Sequence, residues 1–340
     1  MKQKILKTVT RNEAIVTYII LVLCILISLK NPAFLDASTG ISLSRAMLVT
    51  LIFALCEMVT IVSGGIDVSF PAVASLALYA TSMLAVTLEI NNVFLLFLVA
   101  GTIGLACGII NGLLIVKCKI YPLIATLGMS SVINGGTLAF IGTRELSSLP
   151  AGMDKLSRTF LFTYVNKQGI SYSMTIFILV PIILSILVFL ILRYTVLGRG
   201  IYAVGGDENA ARIAGFNVSW IKYCVYGFSG LFAGIGGFIY VILMRQANPQ
   251  VLMGEEMMVI AAVVIGGTKI TGGYGTVIGT ILGVGLIALV ENNLIMLGVP
   301  SHFQTFMVGL IIVLGTSITA LREKYGSKAV RRQKNHEDLD

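Results

Sequence analysis

The sequence predicts an all-α integral membrane protein with about ten transmembrane helices, some of them short or broken. Apolar residues make up 56% of its 340 positions. Charged residues make up only 12%, whereas a soluble domain carries about 25%. Apolar runs of roughly 17–25 residues, the length that crosses a bilayer as a helix, recur along the whole chain. These observations leave no room for a soluble domain of any size.

The spans and the segments between them follow from the apolar runs. We predict spans at 14–29, 44–63, 71–88, 93–116, 122–141, 173–192, 222–243, 254–267, 275–297 and 302–321. The transmembrane domain therefore covers residues 14–321, between an N-terminal tail (1–13) and a C-terminal tail (322–340). Its two longest connections are a loop at 142–172 and a loop at 193–222.

Charge predicts how these spans are oriented. Lys and Arg in short loops stay in the cytoplasm, and sixteen of the 24 lie on one side when both termini are placed inside, against seven on the other. The prediction is a multi-pass protein with both termini cytoplasmic. This bias also explains the net charge of +8, so no nucleic-acid partner is needed. The basic tail Arg322–Lys334 is expected to contact anionic membrane lipid.

A polar stretch, Ser63–Ser69, interrupts the apolar sequence between two spans. A similar stretch returns at 265–271, so that Gly64 and Gly266 lie 202 positions apart. Both would fall between an inward and an outward helix, which makes the pseudo-repeat parallel. Charge at membrane depth is costly, and unwound backbone is tolerated there only beside protein or a watery cavity. Paired broken segments of this kind indicate a solute pathway.

The candidate pathway residues are the glycines, charges and amides of these spans. They are Gly64, Gly65, Asp67, Ser69, Asn111, Asn134, Gly266, Gly267, Lys269, Asn292 and Asn293. Each has a structural alternative. Asp67 can cap the helix that begins near Ser69, Lys269 can pair with Asp67 or reach the headgroups, and the asparagines can form hydrogen bonds between helices. Glycines spaced like Gly101, Gly104 and Gly108 let helices approach closely.

Motifs for other chemistry are missing from the sequence. The chain has no G-x-x-x-x-G-K-[ST] loop for nucleotide phosphates, and no nucleophile elbow or zinc-protease motif. Its five cysteines form no Cys-x-x-Cys pair and its two histidines are far apart, so we predict neither an enzyme nor a metal site. A proton-coupled carrier using Asp67, Glu57 or Glu291, and a passive channel, remain alternatives.

The loop 193–222 has a strong local pattern. Gly205–Gly206 should break the preceding structure, Asp207 can serve as an N-cap, and residues 208–214 form about two turns. Gly215 suits the left-handed position that ends a helix. The small apolar face of this helix either packs against the inner ends of its own spans or binds a soluble partner.

This loop, the Ser63–Ser69 stretch, and the run from Ile260 to Thr280 together resemble the ribose-type ABC importer permeases. That family serves ribose, other monosaccharides and autoinducer-2. The resemblance covers nearly all of residues 14–321, with the motifs in order. It departs at Phe70–Pro71, where many members have Val-Gly, so it does not fix the sugar, and autoinducer-2 import by the same machinery is the alternative.

The resemblance implies a bacterial inner-membrane subunit that binds no cofactor itself. ATP and Mg²⁺ would belong to a cytoplasmic ATPase, a second permease subunit (a copy or a paralogue) would complete the pore, and a periplasmic or lipid-anchored binding protein would deliver solute to the external loop 142–172. The ATPase would bind a coupling helix. The residues carried over to it are Gly206, Asp207, Glu208, Asn209, Ala210, Ala211, Arg212, Ala214 and Gly215.

Overall fold

A computed structural model describes residues 12–166 and 168–293, together with Phe303, Phe306, Gly309, Leu310 and Val313. Its helices are α1 (Asn12–Lys30), α2 (Ala37–Val62), α3 (Phe70–Thr87), α4 (Val93–Val116), α5 (Pro122–Gly136, continued as a π-helix to Ile141), α6 (Ala151–Ser157), α7 (Leu179–Tyr194), α8 (Val196–Gly206), α9 (Glu208–Ile213), α10 (Val218–Met244), α11 (Glu255–Ile265) and α12 (Val277–Asn293). Short 3₁₀ turns precede α2 and α7 (Pro32–Leu35 and Ile176–Ile178), and two antiparallel strands, β1 (Phe160–Val165) and β2 (Ser171–Thr175), form a hairpin.

Seven of the described helical segments are long and apolar enough to cross a membrane, fewer than the ten spans predicted. Helix α12 is apolar but, with 17 residues, is shorter than these seven segments. Helix α11 has only 11 residues, so its length is about 16 Å, whereas the hydrocarbon core of a membrane is about 30 Å thick. The predicted span 302–321 lies outside the described residues except for the five single positions. The membrane class of the fold is confirmed, and the count of ten is not.

Several span boundaries differ from the prediction, since α2 begins at Ala37 instead of 44 and α10 at Val218 instead of 222. Two further differences lie at the segment before α7. Residues 173–175 belong to β2, where Thr163 and Ser173 are paired across the hairpin, so the span predicted at 173–192 becomes helical only at Ile176. The loop predicted at 142–172 also contains helix α6. In both places short alternating or amphipathic stretches lie beside an apolar run, which obscures where the span begins.

Helix α10 lies at the centre and packs against α2, α3 and α4. Its crossing with α4 depends on glycine, because a Cβ at Gly104 would lie 2.2 Å from the carbonyl oxygen of Gly230, and one at Gly108 the same distance from that of Tyr226. Close packing is thus the role of these two glycines. The α11–α12 contact follows the same rule, since a Cβ at Gly283 would lie 2.0 Å from the Ala262 carbonyl oxygen.

Contacts sort the connecting segments into two ends of the helix bundle. One group, here called the glycine end, comprises 63–69, 117–121, 195–217 and 266–276; Gly65 contacts Pro122 there, and Gly64 contacts Gly205. The other, called the hairpin end, comprises 31–36, 88–92, 142–178 and 245–254, where Tyr164 bonds Asp36 and Leu146 pairs with Ala247. Successive segments alternate between the two ends, as the predicted topology requires.

Candidate functional site

The carboxylate of Asp67 is buried at the turn between α2 and α3, with 1% of the residue exposed. Its Oδ1 accepts hydrogen bonds from the backbone N–H of Ser69 (2.9 Å) and from the Ser69 hydroxyl (2.6 Å). Its Oδ2 accepts one from Ser229 on α10 (2.7 Å). Buried polar groups need such partners. Asp67 therefore holds the turn and ties it to α10, which is the structural alternative recognised from the sequence.

Three further helices contribute polar side chains to this turn. Asn111 of α4 donates from Nδ2 to the Ser69 hydroxyl (2.7 Å). Glu57 of α2 accepts from the Asp67 N–H (3.3 Å), and Thr126 of α5 accepts from the Val68 N–H (3.2 Å). The turn is thus held by α2, α4, α5 and α10 together. Thr126 and Ser229 were missed in the sequence, where an isolated hydroxyl in an apolar helix is a weak signal.

Some atoms in this cluster have no hydrogen-bond partner in the described part of the chain. They are Oε2 of Glu57, Oδ1 of Asn111 and the hydroxyl of Tyr226. The Tyr226 hydroxyl lies against Gly65, where an added Cβ would be 2.2 Å away. Gly65 is therefore required for the approach of the tyrosine, rather than for an unusual backbone angle.

Glycine backbones from three segments meet at the glycine end. The N–H of Gly273 donates to the carbonyl oxygen of Val62, the last residue of α2 (2.9 Å). A Cβ at Gly205 would lie 1.8 Å from that same oxygen, and one at Gly272 would lie 2.6 Å from the Gly205 carbonyl oxygen. Direct backbone contacts thus join three segments: the first broken segment, the end of α8 and the loop after the second broken segment.

The two Gly-Gly segments are similar but not equivalent in conformation. In the first, the left-handed residue is Gly64 (φ +85°); in the second it is Gly267 (φ +99°), one position later in the alignment of the two stretches. Gly266 has another role, since a Cβ there would lie 2.3 Å from the Gly279 carbonyl oxygen. The two stretches therefore share a sequence pattern but differ in their turns, and the parallel pseudo-repeat stays a prediction.

Helix α9 begins and ends as the sequence predicts. Asp207 caps it by accepting from the N–H groups of Asn209 (2.8 Å) and Ala210 (2.9 Å), and Gly215 follows with φ +89°. Glu208 bonds Lys222 of α10 (2.7 Å) and lies 3.4 Å from Arg212. These contacts fix the short helix against α10.

The residues predicted to form one apolar face of α9 differ in exposure. Ala211 is 2% exposed and packs onto the protein, whereas Ile213 is 89% exposed. Exposed positions beside it are Gly206, Asn209, Ala210, Arg212 and Ala214. A surface of this composition, small residues around one free isoleucine and a few polar groups, is available for another molecule.

The remaining pathway candidates do not join the Asp67 cluster. Asn134 is half-buried on α5, and the side chain of Lys269 is exposed at the glycine end. Asn292 and Asn293 lie near the end of α12, where they line a cavity at the hairpin end and donate to the carbonyl oxygens of Ala288 (2.9 Å) and Leu289 (3.2 Å). The candidates therefore divide between the two ends of the protein.

A family model for the permease component of branched-chain amino acid transport systems matches residues 40–315. The chain belongs to this permease family. The ribose import permease protein RbsC of Bacillus subtilis (strain 168) is 33% identical over 297 residues, covering 86% of this chain and 88% of the relative. RbsC of Escherichia coli (strain K12) is 30% identical over 304 residues, covering 88% and 91%.

Another relative of the permease is the galactose/methyl galactoside import permease protein MglC of Escherichia coli (strain K12), 29% identical over 330 residues and covering 93% of this chain and 96% of its own. No solved structure gave a significant match. The resemblance noted from the motifs is confirmed, and the permease is a multi-pass membrane protein.

Proposed function

We propose that the permease is the membrane-spanning subunit of an ABC importer for a neutral monosaccharide. Relatives covering most of its length carry names for ribose, galactose and D-allose transport, and one is named a probable ABC transporter permease. These names favour a sugar over autoinducer-2. They also give no support to a proton-coupled carrier. Of its candidate coupling acids, Asp67, Glu57 and Glu291, Asp67 has both carboxylate oxygens engaged within the protein.

The observation that supports this proposal is the backbone contact between the glycines before α9 and the two Gly-Gly regions. Helix α9 exposes Ile213 and begins directly after Gly205–Gly206, and those glycines contact Gly64, Gly272 and Gly273. A partner that binds and moves α9 would therefore move the backbone next to Asp67. We assign α9 as the coupling helix for a cytoplasmic ATPase, which would hold the ATP and Mg²⁺.

A second permease subunit would complete the pathway. Helix α5 has an open face, since an added Cβ at Gly128 or Gly135 meets nothing within 4 Å, and Val132 on the same helix is 69% exposed. We propose that this face lines the pathway between two permease subunits, with Asn134 near it. Small residues permit such close approach of helices in a membrane.

The glycine end is then cytoplasmic, with both termini on that side of a bacterial inner membrane, as the bias of Lys and Arg favours. The hairpin end faces outward and offers charged groups for a binding protein. Asp154 of α6 bonds Arg158 (3.1 Å) and Arg245. The ten-span prediction requires a further helix after α12, in a part of the chain where the structure describes only single positions.

Capture of the ATPase by the purified, detergent-solubilised permease tests the proposal. The wild type should retain the ATPase encoded with it, and Ile213→Glu should lose it, because a charge would replace the exposed apolar contact. Ile270→Glu, an isoleucine that is 54% exposed at the same end, is the matched control and should still bind. Sugar uptake by the wild-type permease alone in liposomes, with no ATPase retained, would overturn the proposal.

A further inference from the structure

A polar cavity lies at the hairpin end, whereas Asp67 lies at the glycine end. Its volume is about 700 Å³, within the range of about 300–1,000 Å³ typical of small-molecule sites. It lies between the segment joining α1 to α2, the β1–β2 connection and the end of α12. The described residues around it include Asp36, Ser42, Asn166, Tyr172, Asn292 and Asn293.

The walls of this cavity are held in place by hydrogen bonds to Asp36. Tyr164 of β1 donates to its Oδ1 (2.7 Å), and Ser38 of α2 donates to its Oδ2 (2.5 Å). These two bonds hold the pKa of the Asp36 carboxyl below its ordinary value. Arg45 of α2 also donates to the carbonyl oxygen of Ser173 in β2 (3.2 Å). The hairpin is thereby fixed over the outer end of α2.

Three asparagine amides that line the cavity keep hydrogen-bonding capacity. Asn292 and Asn293 each donate to their own helix, and no donor in the described part of the chain reaches their carbonyl oxygens. Asn166 uses its Oδ1 to accept from Gln168 and Ile170 (3.0 and 2.9 Å), which leaves its NH₂ group available. Asparagine amides supply donors and acceptors together, the combination that a hydroxyl group needs.

We infer that this cavity is an outer binding subsite for a neutral polyhydroxy solute. Asp36 is the one charged side chain among its described lining residues, and hydroxyls already bond both of its oxygens. An anion would find no compensating charge among these residues, and a metal cation would need more carboxylates. Amides, hydroxyls and the ring of Tyr172 fit a sugar. The inference rests on the proposed function for the identity of the solute.

The test uses the full chain in phosphatidylcholine nanodiscs and measures how fast an introduced cysteine reacts with a soluble maleimide. Asn292→Cys places the thiol in the cavity. Asn91→Cys, the same substitution at an exposed position of the hairpin end, is the matched control. The native Cys118, exposed at the glycine end, serves as an internal reference.

We expect D-ribose, D-galactose or D-allose to slow labelling of the Asn292→Cys protein in a saturable manner, while Asn91→Cys and Cys118 react at unchanged rates. Adding Tyr172→Ala should raise the sugar concentration needed for protection. Absence of protection by all three sugars would overturn the inference, even where the assembled importer takes up one of them. Protection that appears only in phosphatidylglycerol nanodiscs, without sugar, would assign the cavity to a glycerol headgroup and also overturn it.

Protection by a sugar in a permease that binds no ATPase would support the subsite while contradicting the proposed function. The two ideas therefore fail separately. Gel filtration of both cysteine variants checks that they keep the fold of the wild type.

Discussion

The N–H of Gly273 donates a hydrogen bond to the carbonyl oxygen of Val62 over 2.9 Å. Val62 ends the helix before the first Gly-Gly segment, and Gly273 follows the second. The backbone of Gly205, near the end of α8, lies against the same carbonyl oxygen. One peptide group therefore joins the three segments through which a force on α9 would reach the membrane-spanning helices.

Gly205→Ala should disrupt this junction. Its Cβ would lie 1.8 Å from the Val62 carbonyl oxygen and 2.7 Å from the Gly273 nitrogen, and both atoms belong to backbone that cannot rotate away. Overpacking of this kind costs about 1–3 kcal/mol or more. We expect a clear fall in the apparent Tm of the purified permease, measured by tryptophan fluorescence.

Gly206→Ala is the control for that variant, because a Cβ there would meet nothing within 4 Å. It should leave the apparent Tm close to that of the wild type. Equal loss of stability in the two variants would mean that the contact with Val62 does not set the requirement for glycine at this place, because helix propensity alone would favour alanine at both positions.

Ser229→Ala should destabilise the Asp67 cluster. It removes the donor to Oδ2 of Asp67 (2.7 Å) and leaves a buried carboxylate oxygen unsatisfied, which costs roughly 1–3 kcal/mol. The matched variant is Ser75→Ala, because Ser75 is equally buried but its hydroxyl has no partner in the described part of the chain. Unfolding by denaturant should separate the two, with Ser75→Ala near the wild type. A smaller effect for Ser229→Ala than for Ser75→Ala would contradict the role given to Asp67.

The sequence was sufficient for features that depend on local pattern. Asp207 and Gly215 predict the start and end of α9, because their residue types favour the two capping positions of a helix. The apolar runs predicted the positions of most of the long helices. It was insufficient where long-range contacts decide. The hydrogen bond between Asp67 and Ser229, which lies 162 positions away, could not be predicted from the local sequence. The meeting of Gly64, Gly205 and Gly272 has no periodicity that a single sequence could reveal.

The ion pair of Asp154 with Arg245 should make a pH-dependent contribution to stability. The hydrogen bond from Arg245 is the main reason why the pKa of the Asp154 carboxyl lies below its usual value. A lowered pKa in the folded state stabilises the protein above the unfolded pKa of about 3.9, and this contribution is lost as pH falls through the folded pKa.

We therefore expect wild type to exceed Asp154→Asn in apparent Tm at pH 7 and pH 5, with the difference shrinking towards pH 3. Arg158→Gln serves as the comparison, because it breaks only an exposed pair within one helical turn, and such pairs contribute little. A difference between wild type and Asp154→Asn that stays constant over this pH range would rule out the ion pair as its cause.

The N-cap of α9 offers a way to loosen this helix while leaving Ile213 and the exposed residues beside it unchanged. Asp207→Ala removes the acceptor for the N–H groups of Asn209 and Ala210, at a cost of about 0.5–2 kcal/mol, whereas Asp207→Asn keeps a side-chain oxygen of nearly equal capping strength. Hydrogen exchange of the α9 amides should accelerate in Asp207→Ala and change little in Asp207→Asn. If α9 transmits the power stroke, sugar-dependent ATP hydrolysis by the assembled importer should fall in the alanine variant and persist in the asparagine variant. Loss of hydrolysis in both variants, with α9 amides still protected in the asparagine one, would instead assign Asp207 a direct contact with the ATPase through its charge.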